Sequence, residues 1–412
     1  MLSRRSLLAG VALASAGPAL ARRPAPPAEA DPVRDEAFWA SIQDAWTLDR
    51  TLINLNNGGV SPSPRSVHEA FKRTLDQCNQ APAYGLWQLA EPGVESVRRE
   101  LANEAGCDRE ELAIVRNASE ALQIAQCGLD LQPGDEVVTS DQDYPRMLDT
   151  WEQLVRRRGI VLKKVSFPVP PTDEAVIAGF REAMGPRTKV LHCCHITNLT
   201  GAILPVKALC ELARSQGAVS IVDGAHAFAH FPFSIRDIGC DYYGTSLHKW
   251  LSAPVGTGFL FMRRERIAGH WALQPTNPTR DGDIRKFEEI GTHPAANHNA
   301  IGEALAFHRA IGGQLKADRL RYLRSVWTAG LATVPGVRFL TSEDPARSGA
   351  IGNVAIEGVD PVKLGASLWE KYRILSTPIV HPQFSGLRVT PNLYTTLREL
   401  EVFTEAVRAS IG

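Results

Sequence analysis

A chain of 412 residues is long for one domain, so two units, or one large unit with a smaller one attached, are expected. Basic and acidic residues number 45 each, and a net charge of zero gives no sign of a nucleic-acid or membrane-surface partner. Seven cysteines (Cys78, Cys107, Cys127, Cys193, Cys194, Cys210, Cys240), odd in number and irregularly spaced, read neither as a disulfide framework nor as metal clusters.

Residues 1–21 read as an export signal: Ser3-Arg4-Arg5-Ser6-Leu7-Leu8 precedes an apolar run that closes on Ala19-Leu20-Ala21. The paired arginines point to the twin-arginine export machinery as a partner and to a periplasmic location. Residues 22–32 are rich in proline and alanine and read as a tether. Phe38, Ile42 and Trp46 then recur at helical spacing, and Asn56-Asn57-Gly58-Gly59 marks a turn-rich loop. Residues 64–79 and 92–105 are helical by pattern, with an expected loop at 81–87 carrying Tyr84 and Trp87. That loop could cap a pocket, dock a second subunit or simply pack on the surface.

A regular alternation follows. Short apolar runs at 112–115, 136–139, 161–165, 189–194 and 219–222 are separated by helical stretches at 119–129, 146–157, 172–184 and 206–215. Repeated strand-helix-strand units imply an α/β fold, a mostly parallel sheet between layers of helices, with ligands outside the carboxyl ends of the strands. Beyond Gly312 the pattern changes to helix 315–334, strands near 337–340 and 351–356, helix 361–372, strand 387–389 and helix 396–410. This is an α+β arrangement. The domains expected are a large one over 60–300 and a smaller one from 33–59 and 301–412.

The chemistry concentrates between Val222 and Trp250. Asp223 ends an apolar run, in Asp223-Gly224-Ala225-His226-Ala227, and Lys249 follows in Ser246-Leu247-His248-Lys249-Trp250. Singly, such residues have plainer uses, the aspartate as a turn cap and the lysine as a solvated charge. Together and in this order they resemble the pyridoxal-phosphate (PLP) site of the class V aminotransferase family, PLP fold type I, whose branches include isopenicillin N epimerase-like proteins, cysteine desulfurases and kynureninase. The resemblance implies PLP as cofactor and a seven-stranded-type sheet in the large domain.

It also implies roles. Lys249 would bind the cofactor covalently and act as base, and Asp223 would keep its pyridine nitrogen protonated. His226 and Asn198, in Thr197-Asn198-Leu199-Thr200-Gly201, would reach its phenolic oxygen. Ala118 and Ser119, in Arg116-Asn117-Ala118-Ser119-Glu120-Ala121-Leu122, stand where a strand gives way to a helix and would offer N–H groups to the phosphate. An ordinary serine N-cap is the alternative there. Ser246 and His248 would add phosphate donors. Thr292, in Ile290-Gly291-Thr292-His293, would complete the phosphate site from a neighbouring subunit, which makes a homodimer with shared sites the expected assembly. Tyr144, in Asp141-Gln142-Asp143-Tyr144-Pro145, would stack on the cofactor ring or serve as a second acid/base. Arg388, in Leu387-Arg388-Val389-Thr390-Pro391, suits a substrate carboxylate, and Asn57 lies on a segment expected beside the substrate.

Loss of a Cα proton leads to three outcomes: epimerisation, transamination or expulsion of a β substituent. Cysteine desulfurases need a nucleophilic cysteine in the C-terminal part, and the last cysteine here is Cys240. The expectation is therefore a transaminase or isopenicillin N epimerase-like enzyme acting on an amino acid or peptide-linked amino acid in the periplasm. A PLP-dependent carbon-sulfur lyase, or an enzyme modifying a side chain of a pyoverdine-like siderophore precursor, is the alternative.

Overall fold

Thirteen strands organise the residues that the computed structural model describes, 31–411. The export signal and all but the last two tether residues lie outside that range. In chain order the strands are β1 (Ile53–Asn54), β2 (Leu112–Val115), β3 (Glu136–Ser140), β4 (Val161–Val165), β5 (Thr188–Cys194), β6 (Val219–Asp223), β7 (Tyr242–Ser246) and β8 (Gly258–Met262), then β9 (Val337–Phe339), β10 (Gly352–Ile356), β11 (Ile374–Leu375), β12 (Thr377–His381) and β13 (Phe384–Val389).

Seven of them form the sheet β2-β8-β7-β6-β5-β3-β4, in which β8 alone runs against its neighbours. Strands such as β2, β6 and β8 are nearly continuous apolar runs because both faces of the sheet's interior are covered. Val222, Tyr243 and Phe259 join the core on one face, and Ile221, Tyr242 and Leu260 join a separate core on the other. The sequence pattern had picked out β2 to β6. It passed over β7, whose Tyr-Tyr-Gly-Thr-Ser composition is not an apolar run although every residue is buried, and β8, the antiparallel return.

The second sheet, β12-β13-β10-β9, is antiparallel. Helices Gly313–Leu331, Pro361–Tyr372 and Leu397–Ile411 close a core on it that contains Trp327, Leu368, Leu387 and Phe403. β1 pairs in parallel with β11, joining the start of the described chain to this C-terminal part. One expectation fails: of the expected loop 81–87, residues 82–87 are helical. Pro82 opens a short turn of helix that widens into a π-type turn over Gly85–Ala90 and runs on into Glu91–Ala105. Proline at a helix start has its fixed φ pre-set and no N–H to lose. Gly85 is needed for the packing, since a Cβ there would come within 2.8 Å of the Cys78 backbone.

Register decides where the chemistry sits. Cys194, Asp223 and Gly244 lie side by side on β5, β6 and β7, so these strands deliver their following loops to one rim. This is the carboxyl-end rim where open α/β sheets bind ligands.

Candidate active site

Asp223 is the last residue of β6, and its neighbour Gly224 packs so tightly that a Cβ would fall 2.0 Å from the Tyr243 ring. The close approach keeps Asp223 inside, 4% exposed, with Oδ1 accepting the Ala225 N–H at 2.9 Å. Burial raises its pKa to about 6, although the Ala225 N–H and the Lys249 charge pull the other way. A second buried carboxylate, Asp143, adds to the rise. Asp143 Oδ2 accepts from Thr139 Oγ1 at 2.6 Å, Ser140 N at 2.8 Å and Ser140 Oγ at 2.9 Å, which fixes the turn leading to Tyr144.

Lys249 projects from the turn after β7, with Nζ 3.2 Å from His226 Nε2. Burial lowers its pKa to about 8; the Arg388 charge adds to this and Asp223 opposes it. His226 is driven well below the usual imidazole range, first by burial and then by the Lys249 charge. It is therefore a neutral ring beside an amine that can shed its proton. His248 is lowered to about 4 by burial and by Lys249.

Arg388 comes from the other sheet. Its guanidinium donates to the Asn198 carbonyl at 2.8 Å, Asn56 Oδ1 at 2.8 Å and Thr377 Oγ1 at 3.2 Å, while Nε is buried without a partner. Burial lowers its pKa to about 10, and Tyr144 lies within electrostatic reach and opposes that shift. Tyr144 itself stands at the N-cap of helix Pro145–Arg158 and is partly buried.

At the expected phosphate site the helix Ala118–Cys127 begins beside Ser246. The Ala118 N–H is already engaged by Ser246 Oγ at 2.9 Å, and Asn117 Oδ1 caps the Glu120 N–H at 2.9 Å. This departs from the expectation for Ala118. Ser119 is left to offer its own N–H and hydroxyl, and Ser246, having accepted one bond, can still donate its hydroxyl proton.

Two other expectations are refined. Asn57 is fully buried, with Nδ2 on the Asn54 and Thr390 carbonyls and Oδ1 taking the Tyr394 hydroxyl. Its polar atoms are spent holding the loop, and the residue on Arg388 is the preceding Asn56. The loop is also tied to the lysine turn, because the Ser61 N–H donates to the His248 carbonyl at 2.9 Å. Thr292 is exposed, in a surface cleft with Trp87, Arg98 and His298, and no hydrogen bond links it to the Lys249 cluster of its own chain. Sequence reasoning missed Asn56, Asp143 and Thr377. The doubled asparagine was a signal for Asn56, but nothing local says which of the two faces inward.

The buried atoms fit PLP. Asn198 Oδ1, His226 Nδ1, His248 Nδ1 and Arg388 Nε lack any partner in the chain, and such groups are costly unless a ligand satisfies them. Asp223 would meet the cofactor's ring nitrogen, Ser119 and Ser246 its phosphate and Lys249 its carbonyl carbon, which leaves the Arg388 Nε–H as donor and the Asn198 amide oxygen as acceptor for the remaining polar atoms.

The Aminotransferase class-V family model matches residues 53–412. Isopenicillin N epimerase of Streptomyces clavuligerus is 34% identical over 397 residues, covering 91% of this chain and 99% of that protein. Among solved structures, apo cysteine desulfurase from Thermococcus onnurineus NA1 has a TM-score of 0.79 at 20% identity, over 90% of this chain and 98% of that one. A C-DES variant with glycine covalently linked to its PLP cofactor has a TM-score of 0.77 at 20% identity, over 88% and 99%. With the family model, the relatives and the fold in agreement, the chain belongs to the class V aminotransferase family of PLP-dependent enzymes.

Proposed function

We propose that this enzyme moves the Cα proton of an amino acid or peptide-linked amino acid, with epimerisation as its reaction. The observation that carries the reading is the Lys249 amine, buried, lowered to about 8 and 3.2 Å from a neutral His226. Such an amine is largely protonated at neutral pH yet gives up its proton readily, which suits a base that must take a proton and return it. Bound PLP supplies an electron sink for the pair left at Cα. With cofactor and substrate bound, Asp223 would keep a proton at the far end of the site, Arg388 would offer its unpaired Nε–H to a carboxylate, and Asn198 and His226 would orient groups between them. Tyr144, within reach of Arg388, is the candidate for the second acid/base that inversion requires.

The near full-length likeness to isopenicillin N epimerase supports inversion over amino transfer. A carbon-sulfur lyase is the second reading, favoured by the similarity of the fold to C-DES, which is described as a cystine C-S lyase. One experiment separates them: holoenzyme with a panel of free and peptide-linked amino acids in deuterated water, scored for Cα deuterium, stereochemistry, keto acid and β-elimination products. Deuterium uptake with inversion and no keto acid is expected. Keto acid without inversion would replace the reading by transamination, and β-elimination products by lyase chemistry.

Two further parts of the reading concern place and assembly. Ser3-Arg4-Arg5 and Ala19-Leu20-Ala21 support twin-arginine export to the periplasm, which a twin-arginine translocation mutant checks by retaining the enzyme in the cytoplasm. The exposed Thr292 and the exposed Tyr84 and Trp87 support a homodimer.

A further inference from the structure

Lys316 is buried to 4% exposure in the first turn of helix Gly313–Leu331 and has no carboxylate contact. An amine there is expensive, since burial strips its hydration and the helix N-terminus is the positive end of the dipole. Burial draws its pKa down to about 7 against the opposing pull of Glu104. Its recorded partners are the carbonyl of Trp250, reached by a short hydrogen bond, and His308 Nδ1 at 3.5 Å. His308 in turn meets Glu104 at 3.4 Å, and Glu104 meets Arg309 at 2.8 Å.

Trp250 is the residue after Lys249. Its ring stacks on His230, centroids 3.9 Å apart and 22° from parallel. His230 reaches the His226 carbonyl at 2.8 Å through Nδ1 and takes the Ala350 N–H at 2.8 Å on Nε2. His226 closes the circuit by meeting Lys249 Nζ. The turn so enclosed is strained: Ser252 sits at φ 58°, a region unfavourable to a residue with a Cβ, while its N–H bonds the Lys249 carbonyl at 3.3 Å. A strained turn persists only where its surroundings hold it.

We propose that Lys316 is a positioning residue for Lys249: its amine holds the Trp250 carbonyl while the His230 ring holds the Trp250 side chain, and together they fix the strained turn from which Lys249 projects. In either protonation state the amine donates to the carbonyl. The inference rests on Lys249 being the cofactor lysine, and that reading is tested separately by whether wild-type holoenzyme shows a bound-cofactor absorbance band that Lys249→Ala abolishes.

With that band in hand, Lys316→Met and Lys316→Arg holoenzymes are compared with wild type by visible circular dichroism per bound PLP, which reports cofactor orientation, and by kcat and KM. Lys316→Met is expected to lose about half or more of the dichroic amplitude and about tenfold in kcat, with KM within about twofold. Lys316→Arg, which can still donate to the carbonyl, is expected to recover most of both. Wild-type dichroism and kcat in Lys316→Met would overturn the proposal and leave Lys316 a packing residue. Should Lys316→Met fail to yield soluble holoenzyme, Lys316→Gln decides, because its polar side chain is one bond shorter and no longer reaches the Trp250 carbonyl. A loss of dichroism and kcat in the same direction supports the clamp, and no change in either overturns it.

Discussion

Asp223 and Lys249 are both held away from their ordinary protonation behaviour, and burial is the leading cause for each. For Asp223 the sign is instructive. Its folded pKa, about 6, lies above its ordinary 3.8, so the folded apoprotein binds more protons than the unfolded chain between those values. Its contribution to stability is present below pH 3.8 and is lost as pH rises through about 6. Above that, Asp223→Asn should stabilise the apoprotein, by on the order of 1–3 kcal/mol, while abolishing turnover. Thermal melting of both apoproteins at pH 5 and pH 8 checks this; equal melting temperatures at pH 8 would contradict it. The pair was legible in the sequence because Asp223 ends an apolar run and Lys249 follows it in a short Ser-Leu-His-Lys motif. Asn56 was not, since its bond to Arg388 joins residues 332 apart.

At the scale of elements, the helix Ala118–Cys127 does two tasks with one terminus. Asn117 caps its third N–H and Ser246 takes its first, and in the proposed site Ser119 is the residue left to meet the phosphate. Asn117→Ala should cost about 1 kcal/mol of apoprotein stability in urea denaturation. It should also weaken PLP binding measured by fluorescence titration, because the frayed turn no longer holds Ser119 in place. A stability loss with unchanged PLP affinity would separate the cap from the site. Apolar runs disclosed β2, β3, β5 and β6 because strands covered on both faces are mostly apolar, and β4 was found at the edge by its shorter apolar ends. The same logic hid β7, whose buried Gly244 and Thr245 satisfy the close approach of helix Ala118–Cys127 and a bond to the Gly224 carbonyl instead of an apolar pattern. The stretch at 81–87 misled because its one proline, Pro82, starts a helix there.

Across the whole molecule, the site is assembled from both sheets: Asp223 and Lys249 from the parallel one, Arg388 from the antiparallel one, Asn56 from the segment that follows β1. A change of fold class from α/β to α+β near Gly312 was visible as a change in pattern, but the docking of one sheet on the other depends on contacts that no local pattern encodes. The proposed homodimer belongs to this scale. Tyr84 and Trp87 are 60% and 51% exposed, and Trp87 shares a cleft with Thr292. Trp87→Asp is expected to give a monomer by sedimentation, with PLP affinity reduced about tenfold or more as the partner's share of the site is lost. A dimer of unchanged affinity would place the interface elsewhere.

Lys249 is proposed to hold the cofactor, and the chain offers a rival, since Lys316 is also buried with a lowered pKa. Borohydride reduction of PLP-reconstituted enzyme, followed by peptide mass spectrometry, distinguishes the two lysines. The reduced cofactor is expected on Lys249 alone; attachment to Lys316, or to no lysine, would overturn the assignment.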